Sequence, residues 1–313
     1  MFPRVSVIIS AYNAENTIED LIKSLSQQNF SKEKTEIIVV NDCSTDRTLD
    51  ILERLIKQDF QFKIYSHEKN QGLSAARNTG IKNSTGRILI FMDADMIVGV
   101  SYLENHVDFH NNRQVIGVVG GIVPAEDLKV DKYQKYLYKS RRGAKRFSPK
   151  SSIPYNVFLF NNTSIKREVI ENCGLFDEKI CVYGGEDTEY SFRVSQKYPE
   201  GLFCSFSLRA THNHYRDFKS ALKNLKKFAK VNIPYIIKKH PEMSKIYGLK
   251  YISSEYDNSN IYHRIIGKIV RMKTFYGINN LFYTILPFPF SNVFVRAMMA
   301  HKLFRGIKQG LSA

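Results

Sequence analysis

Over the first 125 residues, short apolar runs alternate with amphipathic stretches. Positions 5–10 (VSVIIS), 36–40 (EIIVV), 62–66 and 87–92 (RILIFM) read as strands. Between them, 15–28 places Ile18, Leu21, Ile22 and Leu25 on one helical face, and 48–57 and 73–83 read as two further helices. Strands that are apolar on both faces suit a parallel sheet covered by helices on both sides. A doubly wound α/β domain is therefore expected, with its ligands beyond the carboxyl ends of the strands.

The pattern loosens over 126–214, where a Tyr-rich basic stretch (131–146) and a loop (148–154) precede a strand-like run at 157–160 and helices near 167–172 and 187–197. Beyond His214 it changes again. Ala221, Leu222, Leu225, Phe228 and Ala229 recur at helical spacing while Lys219, Lys223, Lys226, Lys227 and Lys230 face away, the mark of a basic amphipathic helix. Two regions are expected: an α/β domain over 1–214, to which the candidate chemistry below belongs, and a basic, mostly helical region over 215–313.

Charge sharpens that division. The 313 residues carry a net +16, and 215–313 alone holds 18 Lys and Arg against 4 Asp and Glu. With 43% hydrophobic residues, the chain is neither disordered nor collagen-like. The four cysteines form no CxxC pair, so free thiols in a reducing cytoplasm are expected and a zinc knuckle is not. The chain enters its first strand-like run directly after Met-Phe-Pro-Arg, and no signal peptide is expected. Residues 274–295 lack charge for 22 positions, but Asn279, Asn280, Asn292 and the Pro287-Phe288-Pro289 break point to an interfacial rather than a spanning segment.

Each strand of the first domain ends in a polar cluster: SAYNAE after the first, NDCSTD after the second, NQGLSAARNTG after the third and Asp93-Ala94-Asp95 after the fourth. These would line one crevice. Neither a dinucleotide fingerprint nor a P-loop is present to support phosphates, so a cation on paired carboxylates is the candidate. Asp93 and Asp95, two apart on an extended segment, would face the same way and serve one Mg²⁺ or Mn²⁺. Asp46 is expected to cap the second helix. Asp42 reads equally as a helix cap or as an acceptor for a base N–H. Arg77 is either a surface arginine or a cation reaching a diphosphate or Asp93. In Gly184-Gly185-Glu186-Asp187 the glycines allow close backbone approach to a ligand, and a carboxylate there can take a proton from an acceptor hydroxyl. His212-x-His214 is either structural or part of a metal shell.

SVIISAYNAE, VVNDCSTD, NQGLSAARNTG, FMDADM and GGEDTEYSFRV, in this order, resemble glycosyltransferase family 2 with its GT-A fold, over roughly residues 4–214. The resemblance implies inverting transfer of a sugar from a nucleotide-diphosphate donor to a hydroxyl. It implies that Tyr12 and Glu15 line the nucleoside pocket beside Ala11, where many members have Pro. Asp42 would hold the base, Arg77 the base or diphosphate side, Asp93 the ribose or sugar, and Asp95 the metal, with Ala94 between the two acids. Asp187 would be the general base and Glu186 would shape the acceptor site beside Gly185. His214, or less favourably His212, would ligate metal, and Asn161 and Asn162 would face the sugar.

A UDP-sugar donor, an Mg²⁺ or Mn²⁺ cofactor and a glycan or lipid-linked acceptor are the expected partners. For the basic region the expected partner is an anionic membrane surface on the cytoplasmic side rather than nucleic acid, since no recognition module stands out. Residues 275–295 would anchor it, rimmed by Arg296, Lys302 and Arg305; packing of its apolar face within the protein is the other reading. Transfer to a polyprenyl phosphate, sugar-phosphate nucleotidyl transfer and non-catalytic nucleotide-sugar binding remain the alternatives. The oligomeric state is left open.

Overall fold

The computed structural model describes residues 5–58, 61–112, 114–253 and 261–312; the opening Met-Phe-Pro-Arg lies outside the described residues. In chain order the elements of the first half are β1 (Val5–Ala11), α1 (Ile18–Ser26), β2 (Thr35–Asn41), α2 (Thr48–Lys57), β3 (Lys63–Ser66), α3 (Leu73–Lys82), β4 (Ile88–Asp93), β5 (Met96–Val98), α4 (Tyr102–Phe109), β6 (Gly117–Pro124) and α5 (Lys132–Lys139). Then follow β7 (Asn162–Lys166), α6 (Arg167–Cys173), α7 (Glu186–Lys197), β8 (Leu202–His212), α8 (Phe218–Lys239), α9 (Ile261–Arg271), α10 (Lys273–Ile285) and α11 (Ser291–Leu311).

The eight strands form one mixed sheet in the order β3-β2-β1-β4-β7-β6-β8-β5. The first four strands are parallel, as their doubly apolar sequences require. Val5, Val7 and Ile9 of β1 pack with Ile90 and Met92 on one face, whereas Ile8 joins Leu89 and Phe91 on the other. Side chains that alternate in this way bury both faces of a strand. Helix α1 lays the expected Ile18, Leu21, Ile22 and Leu25 against the first of these cores.

Two sequence expectations change. The run at 157–160 is not a strand: residues Tyr155–Val157 form a single 3₁₀ turn, and β7 starts later, at Asn162. Asp93 and Asp95 do not share an extended segment, because β4 ends at Asp93 and the chain turns through Ala94 and Asp95 into β5. The basic Tyr-rich stretch, for which the sequence predicted no element, contains α5.

Two compact units result. The first comprises residues 1–128, 142–181 and 186–214; the second comprises 129–141, 182–185 and 215–313. The second unit thus takes in α5 and the Gly184-Gly185 pair, and not only the C-terminal region. In it Tyr133 stacks on Phe218 at 4.5 Å, and Tyr136, Leu222, Val295 and Met298 complete an apolar cluster. Helix α8 buries Leu222, Ala229, Ile233, Ile236 and Ile237, so its apolar face is spent inside this unit. Helix α11 comes closest at Gly306 and Gly310, where a Cβ would lie 2.6 Å from Ala229 and 2.2 Å from the Lys230 carbonyl.

In the first unit, the hydroxyl of Ser164 on β7 lies 2.8 Å from both His106 Nδ1 and His110 Nε2. Burial, with the neighbouring His110, pushes His106 down to about 3. Burial, with repulsion from Lys166, pushes His110 down to about 4. Both imidazoles are therefore neutral in the folded chain, while unfolded they titrate near their ordinary 6.5. Their contribution is complete above pH 6.5 and is lost as the pH falls towards 4. Denaturation midpoints measured across that window should fall with acidification, and a His106→Asn/His110→Asn variant should show a flatter acid limb.

Candidate active site

Strand direction decides what gathers at one edge of the sheet. The carboxyl ends of β1, β2, β3 and β4 lie together because these strands are parallel. Antiparallel β7 begins at the same edge, with Asn162 opposite Met92. Strands β6 and β8 end there, with Pro124 opposite His212, and β5 begins there, with Met96 opposite His212. Asp42, Asp93, Asp95, Asn161 and His212 thus converge from segments far apart in sequence.

The edge is knitted by its own polar residues. Asn13, at φ 51°, accepts the Thr45 N–H through its side chain at 2.8 Å, and its own N–H donates to Ser44 at 3.0 Å. Asp46 accepts the Thr48 N–H at the start of α2, as expected, and the Glu15 N–H as well. The Glu15 carboxylate is engaged by Arg47. Ala11 is buried at the end of β1, and Tyr12 beside it is half exposed, at 50%.

Asp42 is buried. Its Oδ1 accepts the Gln71 N–H and its Oδ2 the Gly72 N–H, each at 2.8 Å. His67 Nδ1 lies 2.7 Å from Oδ1, and its Nε2 lies 2.9 Å from Thr79 on α3. Asp42 therefore shapes the 70–72 turn that launches α3, leaving limited acceptor capacity for a base. His67 was not singled out from the sequence; its position directly after β3, at the edge where ligands belong, is the signal that marks it.

Arg77 on α3 is buried, and its guanidinium donates to Asp187 Oδ1 at 2.5 Å and to the Phe160 carbonyl at 3.2 Å. Glu186 Oε1 lies 3.7 Å from the same nitrogen. Burial works to lower the pKa of the guanidinium, but attraction from Asp187, Glu186 and Asp93 outweighs it and moves the pKa up. Phe160 and Phe176 flank it, with ring centroids at 5.8 and 5.2 Å. Arg77 is thus neither a surface arginine nor an open cation, because its near partner is the acid pair at the start of α7. Asp187 Oδ2 also accepts the Phe160 N–H at 3.1 Å, which fixes the orientation of its carboxylate.

Asp95 meets His212, with Oδ2 3.1 Å from Nε2. His214 is exposed, and its ring lies 6.2 Å from that of His212, so of the two it is His212 that meets Asp95. The reason is local: β8 ends at His212, and the Asn213 N–H turns back to the Asp95 carbonyl at 2.8 Å. Among the described residues no group of three His, Cys, Asp or Glu is placed to hold an ion. A divalent cation with bonds of about 2.1 Å in octahedral array sets adjacent ligands about 3 Å apart. The Asp95–His212 separation fits such a pair, and Mg²⁺-type ions commonly take their remaining ligands from phosphate and water.

Two further expectations are corrected. Asn162 does not face a ligand. It is fully buried, accepts the Tyr102 hydroxyl at 2.7 Å and donates to the carbonyls of Gly121 and Leu208, both at 3.0 Å. Alternation along the chain leaves Asn161 at the edge, its carbonyl accepting the Asp93 N–H at 3.3 Å. Nor does Gly185 reflect a ligand's approach. At φ +94° it lies under α8, where a Cβ would fall 2.6 Å from Phe228 and 2.9 Å from Ile236. Asn232 donates to the carbonyls of Val182 and Gly184, both at 2.7 Å, and so holds this turn within the second unit. Ala94, buried, serves the turn between the two acids.

Comparison with known proteins gives a consistent pattern. The model of the family described as Glycosyl transferase family 2 matches residues 6–174. The uncharacterized glycosyltransferase YfnE of Bacillus subtilis is 29% identical over 240 residues, 62% of this chain and 60% of that protein's length. S. aureus TarS 1-349 in complex with UDP superposes with a TM-score of 0.55 at 17% identity, covering 97% of this chain and 90% of that one. Mannosyltransferase PcManGT from Pyrobaculum calidifontis, in complex with GDP-Man and Mn²⁺, does so at 0.61 and 18%, covering 97% and 88%.

Removing the buried cation should be costly. Arg77→Met leaves Asp187, Glu186 and Asp93 uncompensated and should lower unfolding free energy by about 3–5 kcal/mol in denaturant titration. Adding Asp187→Asn should recover part of that loss.

Proposed function

The chain belongs to glycosyl transferase family 2, and on that premise we propose that it is an inverting transferase carrying a sugar from a nucleotide-diphosphate donor, with a UDP-sugar favoured, to a hydroxyl of a glycan or lipid-linked acceptor in cell-surface polysaccharide or glycoconjugate synthesis. Its catalytic unit has the GT-A fold, and TarS and PcManGT share that fold. One observation carries the reading: Asp187, oriented by Arg77 and by the Phe160 N–H, shares a sheet edge with Asp93 and with the Asp95–His212 pair.

The chemistry follows from what each group can do. Asp187 accepts the proton of the acceptor hydroxyl as its oxygen bonds to the anomeric carbon. The bond from that carbon to the diphosphate oxygen breaks on the opposite side, so the configuration inverts. Each Asp187 oxygen accepts one bond from Arg77 or Phe160 and retains acceptor capacity for that proton. Arg77 and Phe160 are positioning groups for the base. Glu186 shapes the acceptor side, with Asn161 at the rim. Tyr12, Glu15 and Asp42 border the nucleoside side, and Asp93 the ribose or sugar.

Asp95 and His212 would hold Mg²⁺ or Mn²⁺, with Asp93 nearby. Such an ion, when bound, neutralises charge on the departing diphosphate. The UDP and GDP-Man complexes of the two neighbours support a nucleotide-sugar donor and do not decide between the bases. No helix among the described residues is long and apolar enough to cross a membrane. We read the basic unit as meeting the anionic cytoplasmic face of a membrane.

Asp187→Asn should keep donor binding while sugar transfer, measured by release of nucleoside diphosphate, falls by about 10²–10⁴-fold. Turnover near that of the parent would remove the base assignment. In a thermal-shift panel, the cognate nucleotide sugar with Mn²⁺ present at about 100 times its Kd should add roughly 2.7 kcal/mol of stability. If UDP- and GDP-sugars alike leave the midpoint unmoved, the donor reading fails.

A further inference from the structure

Helices α9 and α10 turn their apolar sides outward. On α9, Ile261, Ile265 and Ile269 recur every four residues and are 59%, 46% and 48% exposed, with Tyr262 and Ile266 beside them. The only buried residue of α9 is Gly267. On α10, Ile278, Leu281, Phe282 and Ile285 form the i, i+3, i+4, i+7 stripe that normally faces a core, and α10 has no buried residue at all. Phe290 and Val293, each 66% exposed, continue the surface into α11. Exposed apolar area concentrated in one stretch of sequence marks an interaction surface.

We propose that the outward stripes of α9 and α10 dock the second unit onto an anionic lipid bilayer, lying in the interface plane without crossing it. Charge selects this occupant over a second copy of the chain. The second unit carries 23 Lys and Arg against 5 Asp and Glu, or +18, whereas the first carries 23 against 25, or −2. Two copies meeting through such a unit would repel, whereas anionic headgroups attract it. Arg264 and Lys268 flank the α9 stripe and Lys273 opens α10, so their stems can lie along apolar surface with the charges at headgroup level.

This surface differs from the anchor expected over 275–295. Tyr276 and Tyr283 of that segment pack against the unit's own apolar cluster, and Val295 is buried within it. The outward face instead begins at Ile261 and uses the other side of α10. The docking surface deepens the membrane-surface reading but is independent of the transfer chemistry.

The test is flotation of the full chain with phosphatidylcholine vesicles and with vesicles containing phosphatidylglycerol. The parent should float with the anionic vesicles, more weakly in high salt, and poorly with the neutral ones. An Ile265→Ser/Ile269→Ser/Ile278→Ser/Leu281→Ser variant should partition roughly 100-fold more weakly, with an unchanged melting midpoint because these side chains are exposed. Parental flotation of that variant, or no flotation of the parent, overturns the proposal. A parent dimer in solution that the variant returns to monomer, with neither floating, would assign the surface to a second copy and overturn it as well. Thermal shifts with UDP- and GDP-sugars, each with Mn²⁺, measured on both proteins keep the outcomes separate: no shift with either in the parent sinks the transferase reading and leaves the docking result standing.

Discussion

A buried guanidinium is stable only where anions compensate the water it has lost. Arg77 satisfies that condition by drawing Asp187 and Glu186 from the start of α7, and Asp93 from the end of β4, towards one point. Those acids would repel one another in its absence. The Phe160 carbonyl and the Phe160 and Phe176 rings complete the enclosure. Because α3, α7 and the 160–161 segment come from distant parts of the chain, this one cation ties together the region in which the chemistry is proposed to occur.

Around that point the structure spends polar groups on rigidity. Asn78 on α3 accepts the Phe176 N–H and donates to the Phe176 carbonyl, both at 2.9 Å, so the segment carrying one of the rings on Arg77 is held from the same helix. Glu189 and Arg193 on α7 pair one turn apart, and Arg193 donates to the Leu175 carbonyl at 2.8 Å. Asn162 pins β7 to β6 and β8 by donating to Gly121 and Leu208, and to α4 by accepting from Tyr102. Sites that must hold reacting groups to within fractions of an ångström need such a supporting layer. Several residues that resemble ligands in the sequence belong to it instead.

The two units use apolar surface differently. In the first, both faces of the sheet are covered, and the strands are buried from either side. In the second, α8 and α11 bury their apolar residues against one another while α9 and α10 leave theirs open. A chain with net charge concentrated on one unit and apolar stripes exposed on that same unit has the two components of interfacial binding in one place.

The sequence by itself determined the elements whose signal is local. Alternation of doubly apolar strands with amphipathic helices located β1 to β4 and α1 to α3 within a few residues; strand-end clusters singled out Asp42, Asp93 and Asp95, and the Gly-Gly-acid run that opens a helix singled out Glu186 and Asp187. What only the tertiary structure decided are the pairings. Strand β6, with its interior glycines and a register shift between Gly120 and Gly121, carries no clean period of two. That His212 and not His214 meets Asp95 depends on where β8 stops, and the burial of Asn162 depends on which way β7 faces. Arg77 reaches Asp187 across 110 positions of sequence. Local periodicity reports which residues share a face; it holds no information on which distant face will be brought against it, because that is set by the packing of the whole sheet.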